Sequence, residues 1–386
     1  MKFRIKPAVV YVSFFILGAT AFFATTEWII PAIHARSKSA DGDHIVDRAI
    51  TKDSKEIWRD EDALYSYVKK FGPAETMAHL NALSTTYGSC HDPAHKAGRF
   101  SYEIYSDESF KECSAECHSG CYHGATEAYF KEHGTANLSE NLNTLCGDEL
   151  NAFFSHQCVH GIGHGLMAWT SYEIFDALES CDLLDRRQDS CWSGVFIENI
   201  VGGLAKSEAE KNPEQADHFT EYLSDDPHYP CNHPTLEEKY RGSCYFLQTS
   251  RMVQLFGGDF KKVANSCATV PDLYRRTCFE SMGRDIGGTY RGNPSGAIAA
   301  CAFAPKGNFR LGCLSGAVQD TFWDPSGADA AIGFCKLVTD TTEKSACYQT
   351  IFGRMPEILS GVAERTSFCE KAEVEYQGDC LARVNN

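Results

Sequence analysis

The sequence is short of positive charge: 36 Lys and Arg stand against 52 Asp and Glu, a formal charge of −16 at pH 7. That balance excludes a nucleic-acid binder, which needs a basic footprint. Also missing are a phosphate-binding glycine loop, an HExxH zinc-protease helix and a nucleophile elbow. No stretch alternates at period two, so almost no sheet is expected. Histidine is confined to one part of the chain: there are fourteen, and none follows His233. The composition excludes a mainly disordered chain, since 43% of the residues are hydrophobic and 12% aromatic.

The amino end indicates the compartment. Lys2, Arg4 and Lys6 precede an uncharged apolar stretch, residues 7–26, long enough to span a bilayer as a helix. The basic residues put the amino terminus in the cytoplasm and export the remainder of the chain. Ala19-Thr20-Ala21 allows a cleavable signal peptide instead. The apolar run continues through Phe22 and Phe23 and resumes at Trp28, Ile29 and Ile30, which favours a retained anchor. Residues 1–30 are therefore read as basic residues plus a transmembrane anchor or signal sequence, 31–54 as a polar tether, and 55–386 as one domain outside the cytoplasm. That location is periplasmic, extracellular or lumenal, where cysteines are oxidised.

Eighteen cysteines are more than a core of this size needs. From Cys146 onward they form couples: Cys146 with Cys158, Cys181 with Cys191, Cys231 with Cys244, Cys267 with Cys278, Cys301 with Cys313, Cys335 with Cys347 and Cys369 with Cys380. Successive first members are 35, 50, 36, 34, 34 and 34 residues apart. A period near 34 is the mark of a helical-hairpin repeat. The interval inside a couple, such as residues 268–277, is expected to be loop, with the helices lying between couples. The period and hairpin form resemble tetratricopeptide repeats, without their residue signature. The expected fold is all-α: a disulfide-stapled α-solenoid of helical hairpins, closing towards an α/α toroid where its curvature is strong. The one long spacing marks an insertion at about residues 202–230, read as a surface loop that can serve as a lid.

Pairing within couples uses every cysteine from Cys146 to Cys380, whereas pairing across hairpins strands Cys380. Bridges within couples are therefore expected. Cys90, Cys113, Cys117 and Cys121 remain for two further bridges of unassigned pairing. Gly124, Gly161, Gly194 and Gly316 each follow the second cysteine of a unit by three residues. Glycine inside a helix costs about 1 kcal/mol relative to alanine, so a close backbone approach between helices is its expected reason.

The histidines point to chemistry. Aligning Cys121 with Cys158 superposes His123 on His160 and Glu127 on His164. Each segment then carries two ligand types at i, i+4 on one helix face. His123, Glu127, His160 and His164 are the expected ligands of a divalent transition metal. Three imidazoles and a carboxylate suit Zn²⁺, with Fe or Cu in a more open geometry. Glu198 follows at the same helical position and is a candidate fifth ligand or general base. Further along, Arg251, Arg284, Asp285, Asp320 and Arg354 extend the strip as a groove for an anionic ligand or a partner's extended segment. The expected function is a membrane-anchored repeat protein that binds a transition metal; catalysis by that metal is an open extension of the reading, since nothing in the sequence identifies a substrate. The rival is a scaffold that binds another envelope or cell-surface protein. Nucleic acid is not an expected partner.

Overall fold

The computed structural model describes residues 50–88, 90–114, 116–146, 152–211, 218–323 and 325–385. The expected membrane span falls outside these residues. Among the described residues no helix is long and apolar enough to cross a membrane. The chain is docked by residue 50, where Ile50 is buried. Lys70 donates to the Ile50 carbonyl at 2.7 Å and Tyr67 to that of Lys52 at 2.8 Å.

The described chain is helical, with a single isolated bridge between Leu204 and Phe219. Nine helices carry the architecture: α1 (Glu61–Tyr87), α2 (His91–Tyr105), α3 (Gly120–His133), α4 (Ala152–Trp169), α5 (Gln188–Val201), α6 (Glu238–Leu247), α7 (Asp272–Thr289), α8 (Asn308–Thr321) and α9 (Thr341–Ile358). From α2 onward each packs against the next, and α9 packs back against α4. Other helices of up to ten residues, among them Phe260–Cys267, Pro294–Cys301 and Ala328–Leu337, connect the later ones.

Local sequence explains the boundaries. Asp340 caps α9 by accepting from the Thr342 and Glu343 amides at 3.0 and 3.2 Å. The helix ends at Ile358, and the chain returns as Val362–Glu370 across Ser360 and Gly361. Within α1, Gly72 takes a positive φ of 82° and Pro73 lacks an amide proton, so two helical segments meet there at a kink.

All eighteen cysteines are in disulfides. As expected, the couples close within themselves: Cys146 bonds to Cys158, Cys181 to Cys191, Cys231 to Cys244 and Cys267 to Cys278. Cys301 likewise bonds to Cys313, Cys335 to Cys347 and Cys369 to Cys380. The remaining four pair as Cys90 with Cys117 and Cys113 with Cys121. No thiolate is left to bind metal. The nine bridges fit an oxidising, extracytoplasmic environment.

The interval inside a couple corrects the expectation of loop. Cys244, Cys278, Cys313 and Cys347 lie within α6, α7, α8 and α9, not at their starts. Each of these helices begins inside its couple, five or six residues before the second cysteine; α7, for example, starts at Asp272, directly after Pro271. Proline stops one helix and is tolerated at the entry to the next, so only residues 268–271 form the turn between Cys267 and α7. The bridges from Cys267, Cys301 and Cys335 therefore join the last turn of one helix to the second turn of the next, whereas Cys231 reaches α6 from a turn.

The described part of the insertion lies along α5. Thr220 donates to the Asn199 side chain at 2.7 Å, and Asn199 donates to the Tyr222 carbonyl at 3.1 Å.

Candidate metal centre

Glycines set the register of the helices that carry the histidines. A Cβ on Gly124 would stand 1.8 Å from the His95 carbonyl oxygen, and one on Gly98 would stand 2.1 Å from that of Cys121. Only hydrogen fits at either point, so α2 and α3 touch backbone to backbone beside His95 and His123. The pair α4 and α5 meets in the same two-way manner. Cβ atoms on Gly163 and Gly194 would lie 2.0 Å from the carbonyls of Cys191 and His160. Gly283 and Gly316 repeat the contact between α7 and α8, with Glu280 in the place of the histidine.

Five imidazoles meet as a result. His123 is 5.2 Å from both His91 and His95, centroid to centroid, and 5.6 Å from His160. It stacks on His164 at 3.7 Å. Three overlapping sets bring one donor atom from each member within 4.8 Å of the others: His91, His95 and His123; His123, His160 and His164; His95, His164 and Glu198.

Hydrogen bonds fix which ring nitrogens carry protons. Ser193 Oγ donates to the Ser190 carbonyl at 2.6 Å, so it accepts from His160 Nδ1–H at 2.8 Å. His164 Nδ1–H donates to Glu198 Oε2 at 2.6 Å, and Tyr172 donates to the other oxygen at 2.7 Å. Tyr172 in turn accepts from His218 Nδ1 at 2.9 Å, which ties the insertion to the site. His91 Nδ1–H donates to the Cys117 carbonyl at 3.0 Å. All three rings therefore present an Nε2 lone pair, the state in which histidine binds metal with its other nitrogen anchored.

Two of these lone pairs face each other. His160 Nε2 and His164 Nε2 are 3.2 Å apart, and neither carries a proton to share. Two donors on a tetrahedral zinc, each about 2.0–2.1 Å from the ion, are about 3.3 Å apart. Both ring nitrogens of His123 are buried and have no hydrogen-bond partner among the described residues. A cation among these rings would satisfy atoms that otherwise cost free energy.

Burial holds His95, His123, His160 and His164 well below the ordinary imidazole range. Neighbouring rings add to the shift, foremost His91 for His95 and His164, and His164 for His123 and His160. Neutral imidazoles are what a metal requires, because no proton competes for the lone pair.

The expected residues do not all meet. His123, His160 and His164 do. Glu127 faces Arg99, whose Nη1 is 2.9 Å away, and lies 3.8 Å from His95 Nδ1. Glu198 stands behind His164, buried at 6% exposure. Of the strip, Arg284, Asp285, Asp320 and Arg354 line a shared cavity. Arg251 instead donates to the Ser224 carbonyl at 3.2 Å and to Gln254 at 3.1 Å.

His91 and His95 are additional members that cysteine alignment overlooks. Their signal is plain once the glycine contact is known. The spacing His-x3-His-x2-Gly occurs at His91, His95 and Gly98, and again at His156, His160 and Gly163. Alignment on cysteine hides it, because Pro93 occupies the place of Cys158.

The cluster opens on a cavity of about 840 Å³, lined by His91, His123, His156, His160 and His164. Helices α4 to α9 supply most of its remaining wall. No protein-family model, curated protein or solved structure matches the chain.

Proposed function

We propose that this chain is an extracytoplasmic, membrane-anchored protein that binds a divalent transition metal, Zn²⁺ in the first place, and uses it on a small molecule held in the adjoining cavity. The observation that carries the reading is the 3.2 Å approach of His160 Nε2 to His164 Nε2, with both Nδ1 atoms already donating. His91, His95 and His123 supply further donors, and Glu198 orients His164 from behind. A metal on a cavity wall can polarise a substrate or activate water. The sequential packing of α2 to α9 and the return of α9 to α4 support the finer fold reading, an α-solenoid of disulfide-stapled repeats closing towards an α/α toroid.

Metal analysis of the oxidised full-length chain, purified without a histidine tag, tests the reading. At least one equivalent of metal is expected, falling sharply when His160 and His164 are both replaced by Ala. A metal-free wild type that stays metal-free after dialysis against Zn²⁺ would overturn it.

One observation favours the scaffold reading. Along the chain, five of the bridged couples each expose an apolar side chain between their cysteines: Leu183, Leu273, Phe303, Leu337 and Val374, at 57, 73, 49, 47 and 84% exposure. Such a row suits a partner among envelope or surface proteins. Photo-crosslinkers at Leu273 and Phe303 test it, and the reading fails if no single partner is captured at both positions.

A further inference from the structure

Three charged groups that line the cavity are paired within the protein. Arg284 donates to Asp285 at 2.9 Å, to Ser250 at 2.7 Å and to the Phe246 carbonyl at 3.2 Å. Asp320 lies 3.4 Å from Arg291. Two arginines are different. Arg354 donates from Nε to the Phe322 carbonyl at 2.8 Å, and neither Nη has a hydrogen-bond or ion-pair partner among the described residues. Arg187, in the turn that opens α5, also lines the cavity with no side-chain partner among those residues.

Arg354 is held for recognition rather than for solvation. Its guanidinium lies 4.8 Å over the Phe153 ring and 5.7 Å from that of Trp323. These rings meet edge to face at 5.5 Å. Contact with the two rings and the Nε bond restrain the guanidinium, and its Nη atoms can donate to an oxyanion. Burial pulls the group down to about 10, against the opposing pull of Glu357 and Asp320, and it stays charged at neutral pH. A partly buried cation without a partner is costly, and an anionic ligand would offset that cost.

Both arginines lie within electrostatic reach of one ring, as does Asp189. The charges of Arg187 and Arg354 each reach His156, which also lines the cavity. His156 lies one helical turn from His160, with ring centroids 6.1 Å apart.

We propose that the cavity binds a small organic oxyanion, a carboxylate or phosphate on a flat apolar body, with its charged end on Arg187 and Arg354 and its body lying between Phe153, Trp323 and the histidine cluster. The anion site stands on the arginines alone. Its use as a substrate site rests on the metal reading, since a ligand anchored there extends towards His160.

Fluorine NMR on the full-length chain tests the site with three probes: 4-fluorobenzoate, 4-fluorophenyl phosphate and neutral 4-fluorobenzamide. At least one anion should bind wild type at least tenfold more tightly than the amide. Arg187→Gln and Arg354→Gln should each weaken it tenfold or more, with partial rescue in Arg354→Lys and unchanged metal content. Arg187 holds the start of α5 through its backbone carbonyl, which Arg187→Gln keeps, so that variant decides the matter if Arg354→Gln fails to fold. Anion binding that is equal in wild type and Arg187→Gln, or an amide that binds as tightly as both anions, would overturn the proposal. Failure of the metal reading looks different: a metal-free wild type whose anion binding still depends on Arg187.

Discussion

His164 donates its Nδ1 proton to Glu198 Oε2 across 2.6 Å, between side chains only 2% and 8% exposed. The carboxylate fixes the ring and raises the basicity of the opposite nitrogen. Glu198→Gln keeps an acceptor oxygen but removes the charge. Metal affinity should fall by about 10–100-fold, the usual cost of losing such a partner. Competition with a chelator measures it, alongside Tyr172→Phe, where the loss should be smaller. Equal affinity in wild type and Glu198→Gln would leave the carboxylate a purely structural group.

The glycine contacts yield a stability test with opposite signs. Gly194→Ala forces a methyl group to 2.0 Å from the His160 carbonyl, so α4 and α5 must separate. Overpacking of this kind costs about 1–3 kcal/mol. Metal binding should weaken with it, because His160 moves. Gly333, in the helix Ala328–Leu337, has nothing within 4 Å of its Cβ position. Gly333→Ala should stabilise by up to about 1 kcal/mol through helix propensity alone. Denaturant titration of both variants decides the matter, and a stable Gly194→Ala would contradict the close approach.

Acidification should destabilise the metal-free chain. His95, His123, His160 and His164 are held neutral by burial when folded. Unfolded, they titrate near about 6.5. Below that pH the unfolded chain takes up protons that the folded one does not, so stability falls as pH drops from 7 towards 5. Each such group contributes at most about 1.4 kcal/mol per pH unit. Unfolding of the metal-free chain at pH 7.5 and 5.0 measures the slope, which His123→Gln should flatten. A slope unchanged by that variant would show that His123 titrates normally.

Two disulfides should differ in what their loss does. Cys90–Cys117 closes 27 residues and sets the carbonyl that accepts from His91. Cys369–Cys380 closes 11 residues at the carboxyl end. Chain entropy assigns about 3–4 and about 3 kcal/mol to such loops. Paired Cys→Ser replacement should therefore lower stability in both cases. Metal affinity should fall only in the Cys90, Cys117 variant. Parallel loss in both would mean that metal binding follows global stability.

Much of the helical framework is legible in the cysteine spacing. A couple separated by ten or so residues leaves room only for a helix end, a short turn and a helix start, and α9 with its return helix follows that pattern. Where the turn stops and the helix starts was not legible: Cys278 and Cys347 sit well inside α7 and α9, because proline and a capping aspartate set those starts, not the bridge. The glycines three residues after Cys121 and Cys191 were legible as points of close approach. The histidine cluster was legible in part. His123, His160 and His164 sit beside cysteines, and an alignment on cysteine finds them. His91 and His95 escape it because the bridge of their unit starts at Cys90 instead of at residue 93. Glu127 shows the limit of register arguments. Its helical position is correct, but Arg99 stands at the equivalent of His164 in the preceding helix and takes the carboxylate. No spacing rule shows which of two adjacent partners a side chain meets.

The return of α9 onto α4, with Arg354 lying over Phe153, bears on how such a chain can change over time. An array with two open ends can gain or lose a hairpin at little cost, because each unit touches only its neighbours. Here a unit added or removed between α4 and α9 would part Arg354 from Phe153 and break the wall around the cavity. The contact of α9 with α4 therefore fixes the number of helices between them. Variation is left to the loops and to substitutions on the inner faces of the helices.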